Sequence, residues 1–264
     1  MAQYGFNVDT LSRLKGGSAI QTLAYLAREK LFDKFSGKIF DYSGKTDFVH
    51  YEVSLPDNAP PGFYDAIFLC NEIEKAEKRY DARIGRTSWL SLPNDKEISP
   101  DEWIEMVREF VNEAFVRLGM CAVWAVHYSK HPDDPSKDNP NAHILLTDRP
   151  VDCEGFCTKK DRTWNNKKHV RVWRKMWADI QNRVFERKGL EVSVSHDSLE
   201  VQGVEREPTI PLGRVAMALE RKGVQTEYGI RNCAIEARNS ERREHNERIL
   251  QQKRDKKRNR SRER

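Results

Sequence analysis

Apolar residues recur at helical spacing in four parts of the chain, and β-rich runs fill the intervals between them. In "GGSAIQTLAYLAREKL", Ile20, Leu23, Ala24, Ala27 and Leu31 form a stripe that follows Gly16, Gly17 and Ser18, with Gln21, Tyr25 and Glu29 on the polar side. "PPGFYDAIFLCNEIEKAEKRY" starts with proline and repeats apolar residues at the same interval, so it predicts a second helix. It joins "FVHYEVSLP" to "RIGRTSWLSLP", two runs rich in β-formers that end in proline and read as strands. The clearest start signal is in "ISPDEWIEMVREFVNEAFVRLGM". Ser99 is its N-cap, Pro100 its first helical residue, Glu102 completes a capping box, and Gly119 lies just past the end. Its predicted buried stripe is Ile104, Val107, Phe110, Val111, Phe115 and Leu118. "CAVWAVHY" and "HILLT" follow as strands, and "KHVRVWRKMWADIQNRVFERKG" is a last helix that turns Trp173, Met176, Trp177, Ile180 and Val184 inward and closes at Gly189.

The resulting order is strand, helix, strand, helix, strand, helix, strand, hairpin partner, helix. The loop between "CAVWAVHY" and "HILLT" is too short for a crossover helix, so these two strands must be antiparallel. The expected fold is α+β, with helices packed on a central, largely antiparallel sheet. No internal repeat is visible.

Charge adds an asymmetry to this picture. From Arg231 to Arg264 there are 13 Lys and Arg against 6 Asp and Glu, a charge of +7, which leaves −2 for residues 1–230 of a chain whose net charge is +5. The expected organisation is one domain over 1–230 and a basic tail over 231–264, helical and fraying or disordered. The tail suits non-specific phosphate attraction and equally a solvated end. No stretch supplies the roughly 20 apolar residues of a membrane span, and "MAQYGFNVDT" lacks the features of a signal peptide, so the expected compartment is the cytoplasm. Cys70, Cys121, Cys153, Cys157 and Cys233 form neither an even disulfide framework nor a zinc pattern and read as idle thiols.

The candidate chemistry lies in "HYSKHPDDPSKDNPNAHILLTDRP", which carries three histidines in seventeen residues. If the flanking strands pair, His127 and His143 turn the same way within reach of one metal ion, and Asn141, two residues before His143, shares that face. Two imidazoles and an amide oxygen suit a hard or borderline divalent cation with positions left open for a phosphate oxygen. The same residues also suit a plain polar hairpin. His131 sits inside the loop and faces solvent on this reading. Further along, "CTKKDRTWNNKKHVRVWRK" interleaves Lys159, Lys160, Arg162, Lys167 and Lys168 with Trp164, a pattern for phosphate attraction and base stacking on a single strand, or for a solvated loop before a helix. Tyr25 is a possible nucleophile for phosphodiester chemistry, although a tyrosine on a polar helix face is more often ordinary packing.

Four blocks in order, "GGSAIQTLAY", "IFDYSGKTDFVHYEVSLPDNAP", "ILLTDRPVDCEGF" and "VSHDSLEVQGVEREPTIPLG", resemble the MobA/MobL relaxases of mobilisable and conjugative plasmids over about residues 1–230. The resemblance implies a single-strand DNA nickase of the histidine-hydrophobe-histidine superfamily. By position in the motif, Tyr25 matches the nucleophile, which attacks the scissile phosphate at the origin of transfer, leaving a 5′-phosphotyrosine link and a free 3′-OH. His127 and His143 match two of three metal ligands, with Asn141 in the third place. The implied cofactor is Mg²⁺ or Mn²⁺. The implied partners are single-stranded or hairpin DNA at the origin, relaxosome accessory proteins and a coupling protein.

Two departures from the family pattern bear on activity. Asn141 stands where histidine is common, and an amide oxygen is a weaker ligand than imidazole for the later transition metals. Thr87 stands where many relatives carry a glutamate, so a carboxylate that would orient a ligand or hold a proton is absent there. The alternatives are a degenerate relative that binds the origin without cutting it, as an accessory or replication protein, and a metal-dependent hydrolase that forms no adduct.

Overall fold

The computed structural model describes residues 4–94, 98–135 and 138–262. The chain divides between His196 and Asp197 into two compact units.

The first unit is built on a five-stranded sheet in the order β1-β5-β7-β6-β4, antiparallel at every junction. Its strands are β1 (Phe6–Ser12), β4 (Phe48–Ser54), β5 (Arg83–Ser91), β6 (Ala122–Ser129) and β7 (Asn139–Thr147). The central pair, β6 and β7, is the expected hairpin. Its residues alternate between two buried faces, which is why both strands read as nearly unbroken apolar runs. Val123, Ala125 and Leu145 pack with Ile20, Leu23 and Leu26 of α1 (Ala19–Ala27) and with Leu69, Cys70 and Ile73 of α2 (Ala66–Ala76). Trp124, Val126, Ala142 and Ile144 meet Phe110 and Val111 of α3 (Pro100–Ala114) and Trp173 and Trp177 of α4 (Lys167–Arg187) on the other face. The α+β expectation holds, as a sheet between two helical layers.

Polar caps fix where each helix begins. Ser18 accepts from Gln21 N, Asp65 from Ile67 N and Phe68 N, and Asn166 from Lys168 N, while Ser99 and Glu102 form the predicted capping box. Several details depart from the predicted pattern, and the proline start predicted for the second helix is a separate 3-10 turn, Pro61–Tyr64, so that α2 begins only after the Asp65 cap. Helix α1 stops at Ala27, and Leu31 belongs instead to β2 (Lys30–Asp33), which pairs with β3 (Lys38–Asp41) in a separate ribbon turned at Gly37. In α3 the buried stripe includes Trp103 and Met106, whereas Ile104 is half-buried and Leu118, beyond the end of the helix, is exposed. Met176 of α4 is likewise half-buried. A short ribbon of β8 (Val151–Asp152) and β9 (Gly155–Phe156) follows β7.

All five cysteines are free in the structure. Burial pushes the Cys121 thiol up to about 12 and raises Cys70 further, so neither ionises at neutral pH.

The second unit contains α5 (Gly213–Glu220) and α6 (Glu227–Arg262). The expected boundary at residue 230 falls inside α6, so the basic tail continues a helix that starts before it. Asn232 and Asn239, two turns apart, hold an extended segment against α6. Each exchanges two hydrogen bonds of 2.7–2.8 Å with one backbone unit, at Ile210 and Glu207 respectively.

Candidate active site

His127 on β6 lies directly opposite Asn141 on β7, and His143 lies opposite Ala125. All four residues point to the face that α1 covers, because partners across an antiparallel ladder share a face and residues two apart return to it. The imidazole centroids of His127 and His143 are 5.4 Å apart. Helix α1 crosses this end of the hairpin and brings Tyr25, in its last turn, onto both rings, with centroids 5.6 Å from His127 and 5.1 Å from His143. The Tyr25 hydroxyl is 3.2 Å from His143 Nε2. Residues more than 100 positions apart therefore converge on one point.

The protonation of His127 follows from its partner. Nε2 lies 2.9 Å from the Leu26 carbonyl, which can only accept, so Nε2 carries the proton and Nδ1 keeps its lone pair. That Nδ1 is buried without a hydrogen-bond partner, and so is Oδ1 of Asn141, whose amide nitrogen donates to Asn139 O at 2.9 Å. Burial pushes His127 down to about 4, and burial together with the neighbouring His127 and Arg28 pushes His143 down to about 3. Both rings are neutral at pH 7. Two neutral imidazoles and an amide oxygen, two of these donors buried and unspent, fit a divalent cation. Among the described residues there is no group of three His, Cys, Asp or Glu side chains with that geometry, since the third donor here is an amide.

Four residues to which the sequence assigned no role frame Tyr25. Arg28 ends α1 in the left-handed conformation, φ 57°, the one non-glycine residue with positive φ among those described. The turn sends its side chain back over the helix. One Nη donates to the Tyr25 carbonyl at 2.7 Å, and the guanidinium carbon sits 4.2 Å from the centre of the Tyr25 ring. Nε and the other Nη grip the Asp47 carboxylate at 2.8 and 2.9 Å. Asp47 also accepts from Ser129 Oγ at 3.1 Å, and its carbonyl accepts from Tyr128 N at 2.7 Å, which ties the clamp to the strand carrying His127. Tyr42 packs edge-on against Tyr25 at 5.5 Å, and the Lys45 ammonium lies 5.4 Å from the centre of the Tyr25 ring. No local signal marked them, since the apolar spacing of the sequence continues past Arg28 to Leu31.

Thr87 faces Leu145 on one side and Asp9 on the other, two residues from Trp89, the partner of His143. The carboxylate across the ladder from Thr87 is thus on the edge strand, where Asp9 accepts from Asn7 Nδ2. His131 stays in the loop, its backbone N–H bonded to Asp138.

The basic stretch separates into three groups. Lys159, Lys160 and Arg162 line a groove of about 1020 Å³ with Arg79, Arg83 and Arg149. It lies at the end of the sheet where Gly85 pairs with Thr147, four residues along β7 from His143, or roughly 13 Å in extended chain. Lys160 is already spent there, 3.0 Å from Glu77 and bonded to the Arg83 carbonyl. Lys167 and Lys168 are exposed at the start of α4. Trp164 departs from the expectation. It is 3% exposed and packed in the core, so its ring offers no face to a base.

A model of the MobA/MobL family matches residues 17–222. The conjugal transfer protein TraA of Agrobacterium fabrum is 30% identical over 280 residues, covering 95% of this chain and 25% of that protein. The mobilization protein MobL of Acidithiobacillus ferridurans is 28% identical, covering 84% of this chain and 65% of its own length. A structure solved for the molecular basis of vancomycin resistance transfer in Staphylococcus aureus superimposes with a TM-score of 0.65 and 31% identity, covering 75% of this chain and all of that one.

Proposed function

Because this chain belongs to the MobA/MobL family, we propose that it nicks one DNA strand at a plasmid's origin of transfer by tyrosine transesterification and later rejoins it. The chain spans only a quarter of the length of the TraA protein it matches, so the reading concerns the nicking step. The observation that carries it is the 3.2 Å approach of the Tyr25 hydroxyl to His143 Nε2, beside two buried, unspent metal donors.

Tyr25 Oη attacks the scissile phosphorus and a P–O bond to tyrosine forms. The P–O3′ bond breaks, the phenol gives up its proton, and the upstream strand leaves as a 3′-hydroxyl. The reverse attack by a 3′-OH restores the strand. One phosphodiester replaces another, so no ATP is needed. Arg28 holds the phenol ring in place, which favours a near-attack geometry. His127 Nδ1, Asn141 Oδ1 and His143 would hold Mg²⁺ or Mn²⁺, and the bound ion would polarise the non-bridging oxygens. Lys159, Arg162, Lys167 and Lys168 would attract the flanking phosphates. The origin DNA as single strand or hairpin, accessory proteins of the relaxosome and a coupling protein are the partners this reading calls for. No described helix is long and apolar enough to cross a membrane.

The test is incubation with Mn²⁺ or Mg²⁺ and a labelled single strand from the transfer origin adjoining the gene, resolved on a denaturing gel. A 5′-linked adduct that disappears in Tyr25→Phe and on chelation supports the nickase. A second reading, an origin-binding protein that does not cut, draws on Asn141 and Thr87. Tight binding without adduct under either metal would favour it.

A further inference from the structure

Two cations face Tyr25, and they differ in what remains of their charge. Arg28 is buried and held by both oxygens of Asp47, so its charge is neutralised within the protein, and each of its three nitrogens already bonds to Asp47 or Tyr25. Lys45 is exposed and has no carboxylate partner among the described residues, yet its ammonium stands 5.4 Å from the centre of the Tyr25 ring. A cation over an aromatic face at an exposed site is held only weakly by that ring. The placement comes from the backbone. Tyr42 N bonds to the Glu29 carbonyl at 3.1 Å, and Lys45 N closes a tight turn on the Tyr42 carbonyl at 3.1 Å. Two residues later Asp47 is anchored to Arg28 and Ser129. A loop pinned at both ends therefore carries a free positive charge to the mouth of the site. Lys45 also bears on both imidazoles, disfavouring a second positive charge there.

We infer that Lys45 is a catalytic residue of the nicking reaction, whose ammonium binds a non-bridging oxygen of the scissile phosphate. The inference rests on the transesterification reading above. As Tyr25 Oη bonds to phosphorus and the P–O3′ bond breaks, negative charge gathers on the non-bridging oxygens, and a fixed ammonium stabilises it most at that moment. Lys45 neither gains nor loses a proton in this step. Its task differs from that of Lys159 and Arg162, in the groove at the far end of β7, which would attract flanking phosphates without touching the reacting atoms.

The experiment compares wild type, Lys45→Ala and Lys45→Arg, with melting temperature as the control for folding. Substrates are the transfer-origin strand and its two phosphorothioate diastereomers at the nick. Single-turnover adduct formation should fall by about a hundredfold in Lys45→Ala and be largely restored in Lys45→Arg. One diastereomer should slow wild type in Mg²⁺ and Mn²⁺ alike, and that selectivity should vanish in Lys45→Ala. A second readout needs no cutting. In a Tyr25→Phe background, the salt dependence of binding should drop by about 0.7 in log–log slope when Lys45 becomes alanine. Adduct formation within twofold of wild type, with an unchanged salt slope, would overturn the assignment. If wild type itself forms no adduct, the nickase reading fails, and the salt slope still decides whether Lys45 holds a phosphate.

Discussion

Tyr25 and Arg28, three residues apart at the end of one helix, stack with the guanidinium carbon 4.2 Å from the phenol ring centre, and Asp47 fixes the guanidinium from the opposite side. A left-handed arginine costs roughly 1 kcal/mol relative to glycine at a helix end, a cost that the bidentate pair offsets. Removing only the acid leaves a buried cation unpaired. Asp47→Ala should therefore lose about 2–3 kcal/mol, at the low end because the Asp47 side chain is 21% exposed. Arg28→Gly combined with Asp47→Asn should lose clearly less, since glycine suits the left-handed turn and no charge is stranded. Urea denaturation of the two proteins checks this. Equal losses would mean that the pair does not act as a unit.

The capping box at Ser99, the helical periods and the antiparallel pairing of β6 with β7 were legible in the sequence because each is decided within a few residues. So was the shared face of His127, Asn141 and His143, which follows from a period of two. The meeting of Tyr25 with those histidines was not. It depends on how α1 crosses the sheet, and only the family resemblance pointed to it. Arg28 and Asp47 were invisible for the same reason, since their meaning arises only when the helix end meets the start of β4 and the end of β6. Trp164 and Lys160 show the converse error. A local pattern of bases around an aromatic suggests a nucleic-acid surface, but burial of the ring and a pairing with Glu77, 83 positions away along the chain, are set by tertiary packing.

The third donor at the candidate metal site invites an exchange. Asn141 is 6% exposed, opposite His127, with its Oδ1 unspent. Asn141→His would replace a hard amide oxygen by imidazole, which the later transition ions prefer. Calorimetry should show Co²⁺ or Ni²⁺ binding about tenfold or more tighter, with little change for Mg²⁺. No gain for any transition ion would mean that position 141 does not face the metal.

Burial holds His127 at about 4 and His143 at about 3, whereas an unfolded imidazole titrates near 6.5. Between those values the unfolded chain binds more protons than the folded one, so stability falls as pH drops below 6.5 and is fully present above it. Metal-free protein should be equally stable at pH 7.5 and 8. At pH 5 it should have lost on the order of 1–2 kcal/mol per ring. Urea titrations of wild type and His143→Gln measure the effect, and the variant should show the smaller pH dependence. An identical dependence in both would remove His143 from the account.

Gln181 is the last residue whose environment makes a sharp demand. It lies wholly buried on α4, beside Ile180, and neither its amide nitrogen nor its oxygen has a hydrogen-bond partner among the described residues. Burying an amide unpaired costs about 1–3 kcal/mol. Methionine has nearly the same length and shape and carries no such demand, so Gln181→Met should raise the free energy of unfolding by about 1 kcal/mol or more. Nothing in the site changes, since α4 covers the face of the sheet opposite Tyr25, and adduct formation should stay at the wild-type rate. A loss of stability on denaturation would instead show that the amide is satisfied in solution, and that this polar core position contributes to the packing of α4.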